Sequence, residues 1–249
     1  MVDFSWIKKT PIAHRGLHNE EAPENSLLSF ELAIAEKVAI ELDIQLTKDG
    51  EIIVFHDDDL KRLCQKPSFI RDSFSRELME QKIGGTSQKI PSLKKVLSLV
   101  QGSVPLLIEV KCRHFEGKLE RALFEELKNY KGKVAIQSFN PRSVYYLKKL
   151  LKDIPVGMLS GHTNVLKIGY FKGKLIQNLL LYPFIRADFI SYQWDAIDLK
   201  APRFLRKVMG IPLIVWTIDE LASFEKVVDH CDNIIFEGSS VLALLQKKV

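Results

Sequence analysis

Ile40-Glu41-Leu42-Asp43-Ile44-Gln45-Leu46 lies between two runs of the same make, Ile12-Ala13-His14-Arg15-Gly16 before it and Ile52-Ile53-Val54-Phe55-His56-Asp57 after it. Each run is a short apolar stretch that ends in, or carries, chemically active side chains. A β-strand sends alternate side chains to one face, so Glu41 and Asp43 share a face while Leu42 and Ile44 take the other. Two carboxylates that close repel unless a cation lies between them or one keeps its proton. A solvated sheet edge would also carry such a pair. The neighbouring His14-Arg15-Gly16 and His56-Asp57 argue for chemistry instead, because a base, a fixed cation and a flexible glycine are what a phosphate-handling site requires.

Working outward, Glu24-Asn25-Ser26 opens a helix that runs to Lys37, with Asn25 or Ser26 as its N-cap. Strand, turn, helix and strand begin a βαβ unit. Thr47-Lys48-Asp49-Gly50 is a hairpin turn, so Ile52 to Phe55 returns beside Ile40 to Leu46 and brings His56 back toward the carboxylates. Residues 58–90 read as a polar insertion with helical pieces, one of them from Ser75 to Lys82. Val104 to Val110 is an almost unbroken apolar strand, as buried parallel strands are. Regular alternation follows, with strands at Val134, Val156, Phe189, Leu213 and Ile234. Together with Ile12, Ile40 and Leu106 these make eight, which predicts an α/β fold, a (β/α)₈ TIM barrel, built as a single domain over residues 1–249.

Of 249 residues, 46% are apolar and 27% charged, a globular composition with material for one large core. The 36 Lys and Arg against 31 Asp and Glu leave a formal +5, suited to small anions or an anionic membrane surface, and no argument for nucleic acid. Cys64, Cys112 and Cys231 are odd in number and far apart, which argues against a disulfide framework. No run approaches the ~20 apolar residues of a membrane span, and the first ten residues lack a signal-like apolar core, so the expected location is cytoplasmic. Residues 165–184 differ in texture, with apolar and aromatic side chains among Lys167, Lys172 and Lys174. The barrel's alternation places an outer helix there, and the same texture also suits peripheral contact with a membrane.

His14-Arg15-Gly16, Pro23-Glu24-Asn25-Ser26, Glu41-Leu42-Asp43, Phe55-His56-Asp57, Ile90-Pro91-Ser92-Leu93, Glu109-Val110-Lys111, Gln137-Ser138-Phe139 and Val215-Trp216-Thr217 stand in the order of the motifs of the glycerophosphodiester phosphodiesterase family, which this sequence closely resembles. The resemblance implies metal-dependent hydrolysis of a small glycerophosphodiester to glycerol 3-phosphate and an alcohol. It makes His14 and His56 the acid and base, and Glu41, Asp43 and Glu109 the ligands of one divalent cation, Mg²⁺ or Ca²⁺. Oxygen-only ligands suit such hard ions, and no Cys or His cluster of the kind zinc prefers is present. Arg15 and Lys111 can neutralise a phosphate, Arg as a planar fork and Lys as a point charge. Trp216, Gln137 and Glu237 are candidates for the substrate pocket, while His18, His114, His162 and His230 read as structural. Glu237 stands where the family commonly has Asp, and Glu36-Lys37-Val38-Ala39 where it has a Gly-Ala-Asp lead-in. The rival readings are a lysophospholipase D acting on acylated substrates and a barrel that binds phosphodiesters or membrane without turnover.

Overall fold

The computed structural model describes residues 5–112, 115–166 and 169–247. Among them are nine strands: β1 Ile12–Ala13, β2 Ala39–Leu46, β3 Ile52–Val54, β4 Leu106–Val110, β5 Val134–Ser138, β6 Val156–Ser160, β7 Phe189–Gln193, β8 Leu213–Ile218 and β9 Asn233–Phe236. All but β3 are the expected eight, and with helices between them they form a (β/α)₈ barrel. The chain divides into two compact units, Ala13–Val134 and a second made of Met1–Ile12 with Ala135–Val249.

In the Ala13–Val134 unit, β2 pairs in parallel with β4 and antiparallel with β3. The turn at Thr47 to Gly50 is as expected: Gly50 takes φ 84° and its N–H donates to the Thr47 carbonyl at 3.0 Å. β2 and β4 are buried almost throughout, which is why β4 reads as a continuous apolar run. The helix Leu27–Ala35 is capped by Ser26, whose Oγ accepts from the Ser29 N–H at 3.1 Å. It stops two residues short of Lys37, because Lys37 turns to φ 56°, a left-handed position that glycine fills without strain. Helices Leu93–Val100, capped by Ser92, and Lys118–Leu127 complete the unit's long elements.

The insertion holds helices Lys61–Cys64 and Ser75–Met79 and a 3₁₀ turn Ile70–Asp72. The expected helix to Lys82 ends early because the chain doubles back through Gly84 and Gly85, pairing Lys82 with Lys89. Its Leu60, Ile70, Leu78, Ile83 and Ile90 pack on Ile53 and Phe55, which ties the insertion to the segment that carries His56.

In the other unit, β5 to β9 pair in parallel, each with the next. Helices Pro141–Leu150, Lys200–Met209, Leu221–Val227 and Ser239–Lys247 lie between and after them. The short helix Ser5–Lys9 buries Trp6 and Ile7, and the Asn233 amide ties it down by donating to the Ile7 and Thr10 carbonyls at 2.9 and 2.7 Å.

Residues 165–184 do not form one outer helix. The described part is broken into Thr163–Leu166, Tyr170–Gln177 and Tyr182–Ile185, with Leu179 at φ 52° and Pro183 in the first turn of the last piece. Lys167 lies outside the described residues. No helix among those described is long and apolar enough to cross a membrane.

Candidate active site

The register of two strands assembles the acidic centre. Asp43 on β2 stands beside Glu109 on the parallel β4, and Glu41 is two residues back along β2 on the same face. All three are buried, and one oxygen from each lies within 4.8 Å of the others. Burial, reinforced by the Asp43 and Glu109 charges, pushes Glu41 well above the ordinary carboxylate range. Burial also raises Glu109, with Asp43 adding to the shift against the opposing pull of Lys111. Burial would raise Asp43 too, but Lys111 and Arg15 outweigh it and hold that carboxyl far below its usual range.

Lys111 extends from the end of β4, its backbone N–H donating to the Ile44 carbonyl at 3.1 Å. Its Nζ lies 2.7 Å from Glu109 Oε1 and 3.0 Å from Asp43 Oδ1, and the latter oxygen accepts no well-directed hydrogen bond. Burial alone would lower this lysine, but the two carboxylates raise it and keep it charged.

The loop after β1 brings the second cation. Arg15 adopts φ 54° and Gly16 φ 80°, so the loop folds back and the Arg15 N–H donates to Glu41 Oε2 at 3.0 Å. A Cβ on Gly16 would sit 2.5 Å from Ser29 Oγ and 2.9 Å from Phe30, so the third residue of His14-Arg15-Gly16 has to be glycine. The Arg15 guanidinium lies 3.3 Å from Asp43 Oδ2 and donates to Glu24 Oε1 at 2.8 Å. His14, half-buried, and His56 both act electrostatically on the Asp43 carboxyl.

His56 follows β3. Its Nδ1 lies 2.7 Å from Asp57 Oδ1, and a carboxylate can only accept, so Nδ1 carries the proton and Nε2 is the ring atom free for chemistry. The Gln45 amide supports this segment by donating to the Phe55 and Asp57 carbonyls at 2.9 and 2.7 Å.

These elements place five carboxylates, Glu24, Glu41, Asp43, Asp57 and Glu109, among three fixed cations, Arg15, Arg62 and Lys111. With all of these side chains ionised, a divalent ion at the acidic centre would balance the five carboxylates against the three cations. The all-oxygen donor set, the raised Glu41 and the under-bonded Asp43 Oδ1 fit the same group, so the cluster could hold a metal ion.

Residues 14–232 match the glycerophosphoryl diester phosphodiesterase family. The chain belongs to that family. YhdW of Bacillus subtilis (strain 168) is 34% identical over 91% of this chain and 97% of its own. The rat lysophospholipase D GDPD1 is 28% identical over 88% of this chain and 72% of its own. The solved structure of an Oleispira antarctica phosphodiesterase in complex with the product sn-glycerol-3-phosphate superposes with a TM-score of 0.78 at 22% identity, covering 96% of this chain and 95% of that one.

In this phosphodiesterase-family chain, every sequence-predicted residue from His14 to Lys111 falls in the Ala13–Val134 unit, gathered around Asp43. Gln137, Trp216 and Glu237 belong to the other unit. Gln137, buried on β5, accepts from the Ser191 hydroxyl at 2.7 Å. Trp216 on β8 packs edge-on against Phe139 with its indole N–H buried and unpaired, and the half-buried Glu237 follows β9. Sequence reasoning singled out the motifs containing Glu24, Asn25, Gln45 and Asp57 without giving these residues a part in the site, Asn25 being read only as a candidate helix cap, and it passed over Arg62. Glu24-Asn25 lay inside the helix-start signal and Asp57 at the head of an acidic run, so each had an ordinary local explanation.

Proposed function

We propose that this protein hydrolyses a glycerophosphodiester to sn-glycerol 3-phosphate and an alcohol, with a Mg²⁺ or Ca²⁺ ion held by Glu41, Asp43 and Glu109. The observation that carries this reading is the gathering of three buried carboxylates, Arg15, Lys111 and two histidines in a chain of this family. When bound, the ion polarises the phosphoryl group and neutralises charge that develops on it. Arg15 and Lys111, both kept charged by their carboxylate neighbours, orient the non-bridging phosphate oxygens. One of His14 and His56 takes a proton from the attacking oxygen as its bond to phosphorus forms; that oxygen belongs to water or to the neighbouring glycerol hydroxyl, and in the second case water then opens the cyclic phosphate. The other gives a proton to the departing alcohol oxygen as its bond to phosphorus breaks, and a positioned pair of this kind contributes about 10²- to 10⁴-fold for each partner. Gln137, Trp216 and Glu237 are assigned to the substrate's glycerol and alcohol portions on the family's motif order, and the unpaired Trp216 indole N–H supports that assignment. Turnover of glycerophosphocholine, lost on exhaustive chelation and restored by Mg²⁺ or Ca²⁺, is the expected result. Full activity after chelation and dialysis overturns the metal assignment, and no turnover of any glycerophosphodiester in a panel overturns the activity.

A second reading, an acylated substrate met at a lipid surface, is favoured by the helix Tyr170–Gln177. Its inner side buries Gly173, Ile176 and Gln177, whereas Tyr170 and Phe171 face outward at 65% and 85% exposure. Residues 154–187 contain no Asp or Glu and four Lys or Arg, a formal +4 in a chain of +5. An aromatic face in a basic surround is what binds anionic bilayers peripherally. Comparing turnover of lysophosphatidylcholine with that of glycerophosphocholine separates the two substrate classes.

A further inference from the structure

Arg62 lies in the insertion, on the short helix Lys61–Cys64, whose Leu63 and Cys64 pack on the cluster that contains Ile53, Phe55 and the preceding Leu60. Its guanidinium bridges two carboxylates. Nη1 and Nη2 donate to Glu24 Oε2 and Oε1 at 2.6 and 2.7 Å, and Nε donates to Asp57 Oδ2 at 2.7 Å. Each of those carboxylates uses an oxygen on a residue already placed in the site. Asp57 Oδ1 holds His56 Nδ1 at 2.7 Å, and Glu24 Oε1 accepts from Arg15 Nη1 at 2.8 Å. One planar fork therefore links the imidazole and the phosphate-facing arginine, which reach the site from separate loops.

We propose that Arg62 is a positioning residue for His56 and Arg15, and that supplying it is what the insertion contributes to the reaction. The proposal rests on the phosphodiesterase reading given above. An exposed arginine in an ordinary surface ion pair contributes little to stability. Arg62 differs because the atoms it restrains are themselves restrained against reacting groups. Without it, Asp57 loses the donor that fixes its second oxygen, so Oδ1 is less firmly aimed at His56 Nδ1 and the restraint on the Nδ1–H tautomer weakens. Glu24 loses two charge-assisted hydrogen bonds and is held by Arg15 alone, so the Arg15 fork loosens. Lysine cannot replace Arg62, since one ammonium on a flexible stem does not span two carboxylates in a plane.

The test compares wild type, Arg62→Ala, Arg62→Lys, Asp57→Asn and the double variant Arg62→Ala/Asp57→Asn, with glycerophosphocholine as substrate and ¹⁵N NMR of the His56 ring as a readout that needs no turnover. Arg62→Ala should lower kcat by about 10- to 100-fold, the scale seen when a group that orients a site residue is removed. Arg62→Lys should recover less than half of that loss on a logarithmic scale. The double variant should lose clearly less than the product of the two single losses, because Arg62 reaches the His56 ring only through Asp57, while its hold on Arg15 runs separately through Glu24. In the ring spectrum the Nδ1–H tautomer should dominate in wild type and lose population to Nε2–H in Arg62→Ala. A kcat within twofold of wild type in Arg62→Ala, multiplicative losses in the double variant, or an unchanged tautomer ratio would each overturn the proposal. If wild type turns over no glycerophosphodiester, the functional reading falls, and the tautomer ratios alone decide whether Arg62 orients His56. Should Arg62→Ala fail to fold, Arg62→Lys carries both readouts.

Discussion

Asn25 is buried, takes φ 58°, and makes a reciprocal pair with Asp43: its Nδ2 donates to Oδ2 at 2.9 Å and its Oδ1 accepts from the Asp43 N–H at 3.2 Å. Asn tolerates the left-handed region better than most residues, so one side chain meets both a backbone and a site requirement. Asn25→Ala should cost about 3 kcal/mol in urea unfolding, combining the lost charge-assisted hydrogen bonds with the strain of alanine at positive φ. Asn25→Gly, free of the second effect, should cost measurably less. A different outcome belongs to the two histidines, which hold no part of the core. His14→Ala and His56→Ala should each lower kcat by about 10²-fold or more with little change in melting temperature. Near-wild-type kcat in either variant returns that histidine to a structural role.

Among the elements, the helix Lys118–Leu127 carries a titratable group whose environment sets a pH dependence. Burial lifts the Glu126 carboxyl to about 7, with Glu51 adding to the shift and Lys94 opposing it. Since the folded value lies above the unfolded one, the stability this group contributes is complete below about pH 4.5 and is lost as pH rises through about 7. Wild type should therefore lose melting temperature relative to Glu126→Gln between pH 4.5 and 8, and parallel curves for the two proteins would contradict the assignment. The helix Tyr170–Gln177 and the turn after it make a second, independent prediction. Phe171→Asp should leave the melting temperature nearly unchanged while reducing co-sedimentation with anionic vesicles, binding that should weaken with salt. Leu179→Asp should unfold the protein by burying an unpaired charge, because Leu179 is only 6% exposed. If wild type fails to bind anionic vesicles at low salt, the lipid reading of this helix is discarded.

For the whole molecule, a metal ion held by Glu41, Asp43 and Glu109 would couple binding to folding. An ion bound only by the native state stabilises it by about 2.7 kcal/mol at a hundred times its Kd. For a chain of this length that is on the order of 5–10 °C in melting temperature. Mg²⁺ or Ca²⁺ titration should raise the melting temperature of chelator-treated wild type by that amount and leave Glu41→Gln/Asp43→Asn unmoved. An equal rise in both would place the ion elsewhere.

The eight parallel strands, the hairpin after β2 and the acidic pair on one face were legible in the sequence, because strand periodicity and turn chemistry are local properties written in consecutive residues. The family motifs likewise named His14, Arg15, Glu41, Asp43, His56, Glu109 and Lys111 before any contact was known. Tertiary structure alone decided what those residues meet. That Asp43 stands beside Glu109 follows from the β2–β4 register, which no single strand specifies. That Arg62 joins Glu24 to Asp57 across 38 and 5 residues follows from how the insertion packs on Ile53 and Phe55. The break of residues 165–184 into short helices with outward aromatics was equally hidden, since an apolar run shows that it must avoid water somewhere but not which of its side chains the rest of the chain covers.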